Sequence, residues 1–201
     1  VSDSYKTILT PSPQILYKDR GSKFYTTAFP LIADAGMDEI INQLRKEHPK
    51  AGHHCYAWKL GAGDDQYRFN DDGEPRNSAG APIYGQILSC DMSDIAVVVS
   101  RIFGGTKLGV SGLIHAYKEG ASLALDACEV VKRTIVKEIS IRFDYPQMSQ
   151  VMRFIDENNY SIKTQELTDT CSINISVPQS KQGEIVELIN TWYPITASAI
   201  D

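Results

Sequence analysis

Apolar residues come in short bursts at the start of the chain, and the first elements they predict are brief strands at residues 8–9 and 14–17. A longer strand over 23–31 follows the turn at Gly21. The period then changes. Met37, Ile40, Ile41 and Leu44 recur at helical spacing, Asp38 and Glu39 stand in the first turn and Pro49 lies just past the end, so a helix is predicted over 37–48. A strand over 54–60 returns through Gly61-Ala62-Gly63 to a hairpin partner over 66–70. Next comes a helix over 78–88 that turns Ile83, Ile87 and Leu88 inward, its first turns made irregular by Gly80, Pro82 and Gly85. Residues 95–103 form a continuous run rich in β-branched side chains, the pattern of a strand buried on both faces. A long helix over 108–127 comes after it, and its alanines with Gly112 and Gly120 predict close packing on the sheet.

Between residues 128 and 137 the pattern shifts. The rest of the chain reads as strand (134–143), helix (146–157), two strands (160–167 and 171–177) and helix (181–191). With a short final strand, this βαββα order is that of a ferredoxin-like domain, an antiparallel sheet carrying both helices on one face. The predicted fold class is α+β in two domains, residues 1–130 and 131–201. Neither half contains an internal repeat or a low-complexity segment.

Composition narrows the class. The 201 residues are 42% hydrophobic and 22% charged, enough for one large or two small cores. No apolar run reaches the roughly 18 residues of a membrane span, and the opening VSDSYKTILTPSP lacks a secretory pattern, so a soluble cytoplasmic protein without membrane association is expected. Cys55, Cys90, Cys128 and Cys171 have no paired spacing and lie in or beside apolar runs, as buried thiols of a reducing compartment do. The net charge of -5 argues against coating nucleic acid by bulk electrostatics, so any such contact has to be a local patch.

The chemistry concentrates between residues 68 and 117. Asp71, Asp72 and Glu74 form an acidic cluster that His53 and His54 could join across the hairpin, for cation binding or acid–base work. The competing reading is that Asp71-Asp72-Gly73 makes a turn and Glu74 caps the next segment. Metal-ligand spacing such as D-x-D or H-x-x-x-H is absent, and neither metal nor cofactor is assigned. Arg101, Gly104, Gly105, Lys107 and Gly109 lie between a strand and a long helix, where backbone N–H groups at a positive helix end, beside two cations, make a site for a phosphate-like anion. GGTKLG is neither a Walker loop nor a dinucleotide fingerprint, and the same glycines could serve only tight packing. Ser111 and His115 share one face of the adjoining helix, and Arg68 and Arg76 flank the acidic turn, either neutralising it or extending a basic rim.

Cys55 beside His53 invites a nucleophile reading, although an apolar strand is the commoner setting of a core thiol. Tyr56 and Trp58, on the opposite face with His54, are either a stacking platform for an unpaired base or part of the core.

DDGEP at 71–75, SAGAP at 78–82, RIFGGTKLG at 101–109 and SGLIHAY at 111–117, together with SKF at 22–24 and AGHHCYAW at 51–58, resemble the signature of the YigZ/IMPACT family over roughly residues 1–128. The resemblance implies an N-terminal domain similar to the fourth domain of elongation factor G, joined to the smaller C-terminal domain of bacterial members. It also implies a translation theme, since the eukaryotic relative restrains translational control through an initiation-factor kinase. No catalytic activity comes with it. His115 stands where the family commonly has arginine, and Ile102 where it has tyrosine, which weakens any phosphate contact or stacking made there. Two readings result. The preferred one is a translation-associated regulatory protein that binds structured RNA or the ribosome through a cationic, glycine-lined groove, with a protein partner also possible; the alternative is an enzyme acting on a phosphorylated or nucleotide-like small molecule.

Overall fold

The computed structural model describes residues 3–63, 65–168 and 170–200. They form a mixed α+β protein of two compact units, one spanning Tyr5–Arg133 and the other running from Thr134 onward and taking in Asp3 and Ser4.

The first unit is built on a five-stranded antiparallel sheet of β2 (Ile15–Asp19), β3 (Ser22–Pro30), β6 (Ile95–Ile102), β4 (His53–Lys59) and β5 (Tyr67–Asn70), in that spatial order. The run read as doubly buried is the central strand. Ile95 to Arg101 are all buried, and alternate residues serve two different cores. Ile95, Val97 and Val99 face α2 (Gly80–Ser89) and α3 (Gly109–Asp126) together with Phe24, Cys55 and Ala57. Ala96 and Val98 face α1 (Gly36–Glu47) with Phe29, Trp58, Met37 and Leu44. The unit is thus a three-layer sandwich, and the parity of a strand position decides which layer its side chain enters.

α1 has Asp38 and Glu39 in the first turn and Arg45 and Lys46 in the last, in keeping with its dipole. α3 turns Leu113, Ala116, Tyr117, Gly120, Ala121 and Ala124 onto the sheet, a face of mostly small residues. Gly120 is needed there, because a Cβ would lie 2.8 Å from the Thr26 hydroxyl.

Two short strands were not read correctly from the pattern. β1 covers Ser4–Ile8 rather than 8–9, and it pairs with β7 (Val130–Thr134), a strand that falls where the sequence reads as a change between domains. β7 is mostly exposed and has no apolar alternation to mark it. Its pairing partner lies more than a hundred residues away.

The second unit runs β8 (Val136–Asp144), α4 (Met148–Glu157), β9 (Ser161–Glu166), β10 (Thr170–Pro178), α5 (Gln182–Asn190) and β11 (Thr196–Ile200). Its antiparallel sheet has the order β11-β8-β10-β9. Alternate residues Ile139, Ile141 and Phe143 of β8, and Cys171, Ile173, Ile175 and Val177 of β10, pack with Val151 and Ile155 of α4 and Ile185 and Ile189 of α5 in one core. Both helices therefore cover the same face. All four cysteines are free thiols. Among the described residues no helix is long and apolar enough to cross a membrane.

Candidate functional site

The loop from β5 to α2 is shaped by its first acid. Asp71 and Glu74 close a turn through Glu74 N–H to the Asp71 carbonyl at 2.9 Å, with Asp72 and Gly73 both at positive φ (41° and 86°). The Asp71 carboxylate then accepts from the backbone N–H groups of Asn77 (2.8 Å), Ala79 (3.0 Å) and Gly80 (2.8 Å). Asp71, not Glu74, thus caps the next helix, placing a negative charge at its N-terminal end. Asp72 accepts the His54 backbone N–H on its carboxylate (2.6 Å) and the His53 ring Nδ1–H on its carbonyl (2.8 Å).

Glu74 is instead drawn under the loop. Its side chain is 5% exposed, and Oε1 accepts from Arg101 at 2.5 Å and from the Tyr117 hydroxyl at 2.8 Å, with His53 Nε2 at 4.0 Å. Arg101 is itself 5% exposed. Its guanidinium lies over the rings of Phe24 and Phe103, 5.4 and 5.7 Å from their centroids, and reaches the Ser22 hydroxyl at 3.4 Å. Arg101 Nε is buried without a hydrogen-bond partner among the described residues. A buried pair of this kind requires both members, since either charge alone would be left uncompensated.

Cys55 completes the network from below, with Sγ 3.0 Å from the Asp71 carbonyl and 3.3 Å from the Tyr117 hydroxyl. Burial pushes its thiol well above the ordinary range, and burial does the same to the Tyr117 hydroxyl. His53 shares the face of Cys55 but spends Nδ1 on the Asp72 carbonyl, so the thiol has no adjacent base. These properties are those of a core thiol, not of a nucleophile.

Above Arg101 a cavity of about 380 Å³ opens between the acidic loop and the start of α3, lined among others by Glu74, Arg101, Phe103, Lys107, Gly109 and Val110. Lys107 is exposed and has no ion-pair partner among the described residues. α3 starts without a side-chain cap or an acid in its first turn, so its first backbone N–H groups are open to an anion. The glycines divide the remaining work. A Cβ on Gly104 would lie 1.9 Å from the Gly21 carbonyl carbon and 2.2 Å from the Ser22 nitrogen, so Gly104 is required for packing against the β2–β3 turn. Gly105 and Gly109 adopt positive φ (90° and 73°) with open space where a side chain would be.

The structure thus brings Glu74, Arg101, Lys107 and Gly109 together at the cavity, with His53 4.0 Å from Glu74, and leaves several of the other predicted residues elsewhere. His54 lies on the α1 side of the sheet, its Nδ1 2.8 Å from the Ser100 hydroxyl, beside a separate hollow of about 280 Å³ lined by Arg45, His48 and Asp72. Ser111 is exposed in the first turn of α3, and His115 sits edge-on to Tyr17, 6.5 Å between ring centroids. Arg68 and Arg76 are exposed and form no ion pair with the acidic turn among the described residues. Tyr56 and Trp58 belong to the core beneath α1. No three His, Cys, Asp or Glu side chains converge as a metal site among the described residues. Sequence reasoning missed Tyr117 and Phe103; a hydroxyl-bearing ring on the small-residue face of α3 was the readable sign of the first.

Comparison with known proteins places this geometry. Residues 20–125 match the model of the Impact N-terminal domain. The chain is 33% identical over 147 residues to the IMPACT family member YigZ of Escherichia coli (strain K12), covering 72% of each chain. It is 30% identical over 166 residues to YvyE of Bacillus subtilis (strain 168), covering 83% of this chain and 76% of that one. A Thermus thermophilus relative, named as an IMPACT family member in a pol 5' region, is 31% identical over 162 residues, covering 81% and 87%. A crystal structure described as that of a hypothetical protein superposes with a TM-score of 0.77 at 27% identity, covering 100% of this chain and 99% of that one. The cap, the buried pair and the glycine loop all fall inside the matched domain, and the chain belongs to the IMPACT family.

Proposed function

We propose that this protein is a translation-associated regulatory factor that engages structured RNA or the ribosome through the groove beside α3. The observation that carries the reading is the meeting at one place of Lys107 without an ion-pair partner among the described residues, the start of an 18-residue helix without a side-chain cap from its N-cap residue, and the buried guanidinium of Arg101. In a chain of net charge -5, such a patch confines phosphate binding to one face. Family membership supports the theme. The order β11-β8-β10-β9 with both helices on one face supports a ferredoxin-like reading of the second unit, and such a domain beside one similar to the fourth domain of elongation factor G would suit a ribosomal ligand. The enzyme reading has less support, because Asp71, Asp72 and Glu74 are each engaged by N–H or O–H donors.

The test is binding of the full chain to ribosomes and to a structured RNA across a salt series. Lys107→Ala removes an exposed charge without touching the core. It should weaken association and lower the slope of log K against log salt by about one unit. An unchanged affinity and slope, with folding intact, overturns the reading.

A further inference from the structure

Resting on that reading, we propose that the cavity seats a single unpaired nucleotide of the RNA, with its phosphate at Lys107 and the start of α3 and its base between Phe103 and the apolar wall of α3. A volume of about 380 Å³ suits one nucleotide and excludes a duplex, which would have to be read from outside. Phe103 is 54% exposed, a large apolar ring at the lip of the cavity. Arg101 is positioned over that ring and pinned beneath by Glu74 and Ser22, so the ring is held on one side by a cation while much of it stays open to a stacking partner. Val110, 53% exposed, supplies part of the facing wall from the first turn of α3.

The polar depth of the cavity gives the base an orientation. Both hydrogen bonds made by Glu74 fall on Oε1, so Oε2 remains available among the described residues as an acceptor in a cavity wall. A carboxylate oxygen takes an exocyclic amino group well, whereas uracil presents carbonyl oxygens on both sides of its one N–H. Adenine, cytosine and guanine are therefore preferred over uracil, and loops or single-stranded ends, whose bases need no unpairing, are preferred over helices.

The experiment titrates the full chain with AMP, CMP, GMP, UMP and inorganic phosphate by calorimetry. Each amino-bearing nucleotide should bind more tightly than UMP, and all more tightly than phosphate. Phe103→Ala, an exposed truncation that leaves the core intact, should weaken nucleotides about tenfold and phosphate not at all. Lys107→Ala should weaken both. Nucleotides binding no better than phosphate, or unaffected by Phe103→Ala in a protein of unchanged melting temperature, overturn the proposal. Loss of the nucleotide effect with RNA binding still dependent on Lys107 sinks the pocket alone. Mononucleotide binding without ribosome or RNA binding keeps the pocket and sinks the translation role.

Discussion

Asp72 ties β4 to the acidic loop at two successive residues, its carbonyl accepting from the His53 ring and its carboxylate from the His54 backbone N–H, while the His54 ring leaves the strand on the opposite side. The consequence for His54 is measurable. Burial holds its imidazole below the ordinary histidine range, with the positive fields of Arg45, His48 and His53 adding to the shift and Asp72 opposing it. A base with a depressed folded pKa favours the folded state above its unfolded value of about 6.5, and that contribution is lost as pH falls further. Unfolding free energy should therefore decline between about pH 7 and 5, and His54→Asn, which keeps a group near Ser100, should flatten that limb. Parallel profiles for parent and variant would disprove it. At this scale the sequence was legible where partners are local. DDG read as a turn and is one. Glu74 read as a cap and is not, because its partner Arg101 is 27 residues away across the sheet, a pairing with no signature in local spacing.

Elements were read well where one face is buried and poorly where none is. α1, β6, α3 and the strand–helix alternation after residue 135 emerge from periodicity alone. β1 and β7 form a ribbon recognisable only once the fold brings them together. α2 shows how a poor helix start is rescued. Gly80, Pro82 and Gly85 weaken its propensity, yet Asp71 accepts three backbone N–H groups at its entrance. Asp71→Ala should cost about 1–2 kcal/mol in urea denaturation, and Asp71→Asn should recover most of that. Equal losses for both variants would show that the charge, not the hydrogen-bonding geometry, does the capping.

For the molecule as a whole, each unit has its own core, and the first does not draw on any strand of the second. A chain of residues 5–133 should therefore unfold cooperatively by itself, whereas one stopping at 129 loses β7, the strand partner of β1. Calorimetry on the two chains decides; a broad, non-cooperative transition for 5–133 would contradict independent folding. The change of pattern near residue 130 was visible in the sequence. The return of Asp3 to the second unit was not, since it rests on two contacts to Ser180 and on the Asp3 carbonyl accepting from Ile135 N–H.

That return sets the timing of synthesis. The second unit holds residues from both sides of the first, so Tyr5–Arg133 can fold as soon as it leaves the ribosome, while Asp3 waits for Ser180 to be made. At roughly 5–20 residues per second, the stretch from Thr134 to Ser180 imposes a delay on the order of 2–9 s. During that interval β1 is already engaged in one fold while the residue just before it is still unclaimed. A bulky fusion placed ahead of Asp3 would therefore disturb the late unit and spare the early one.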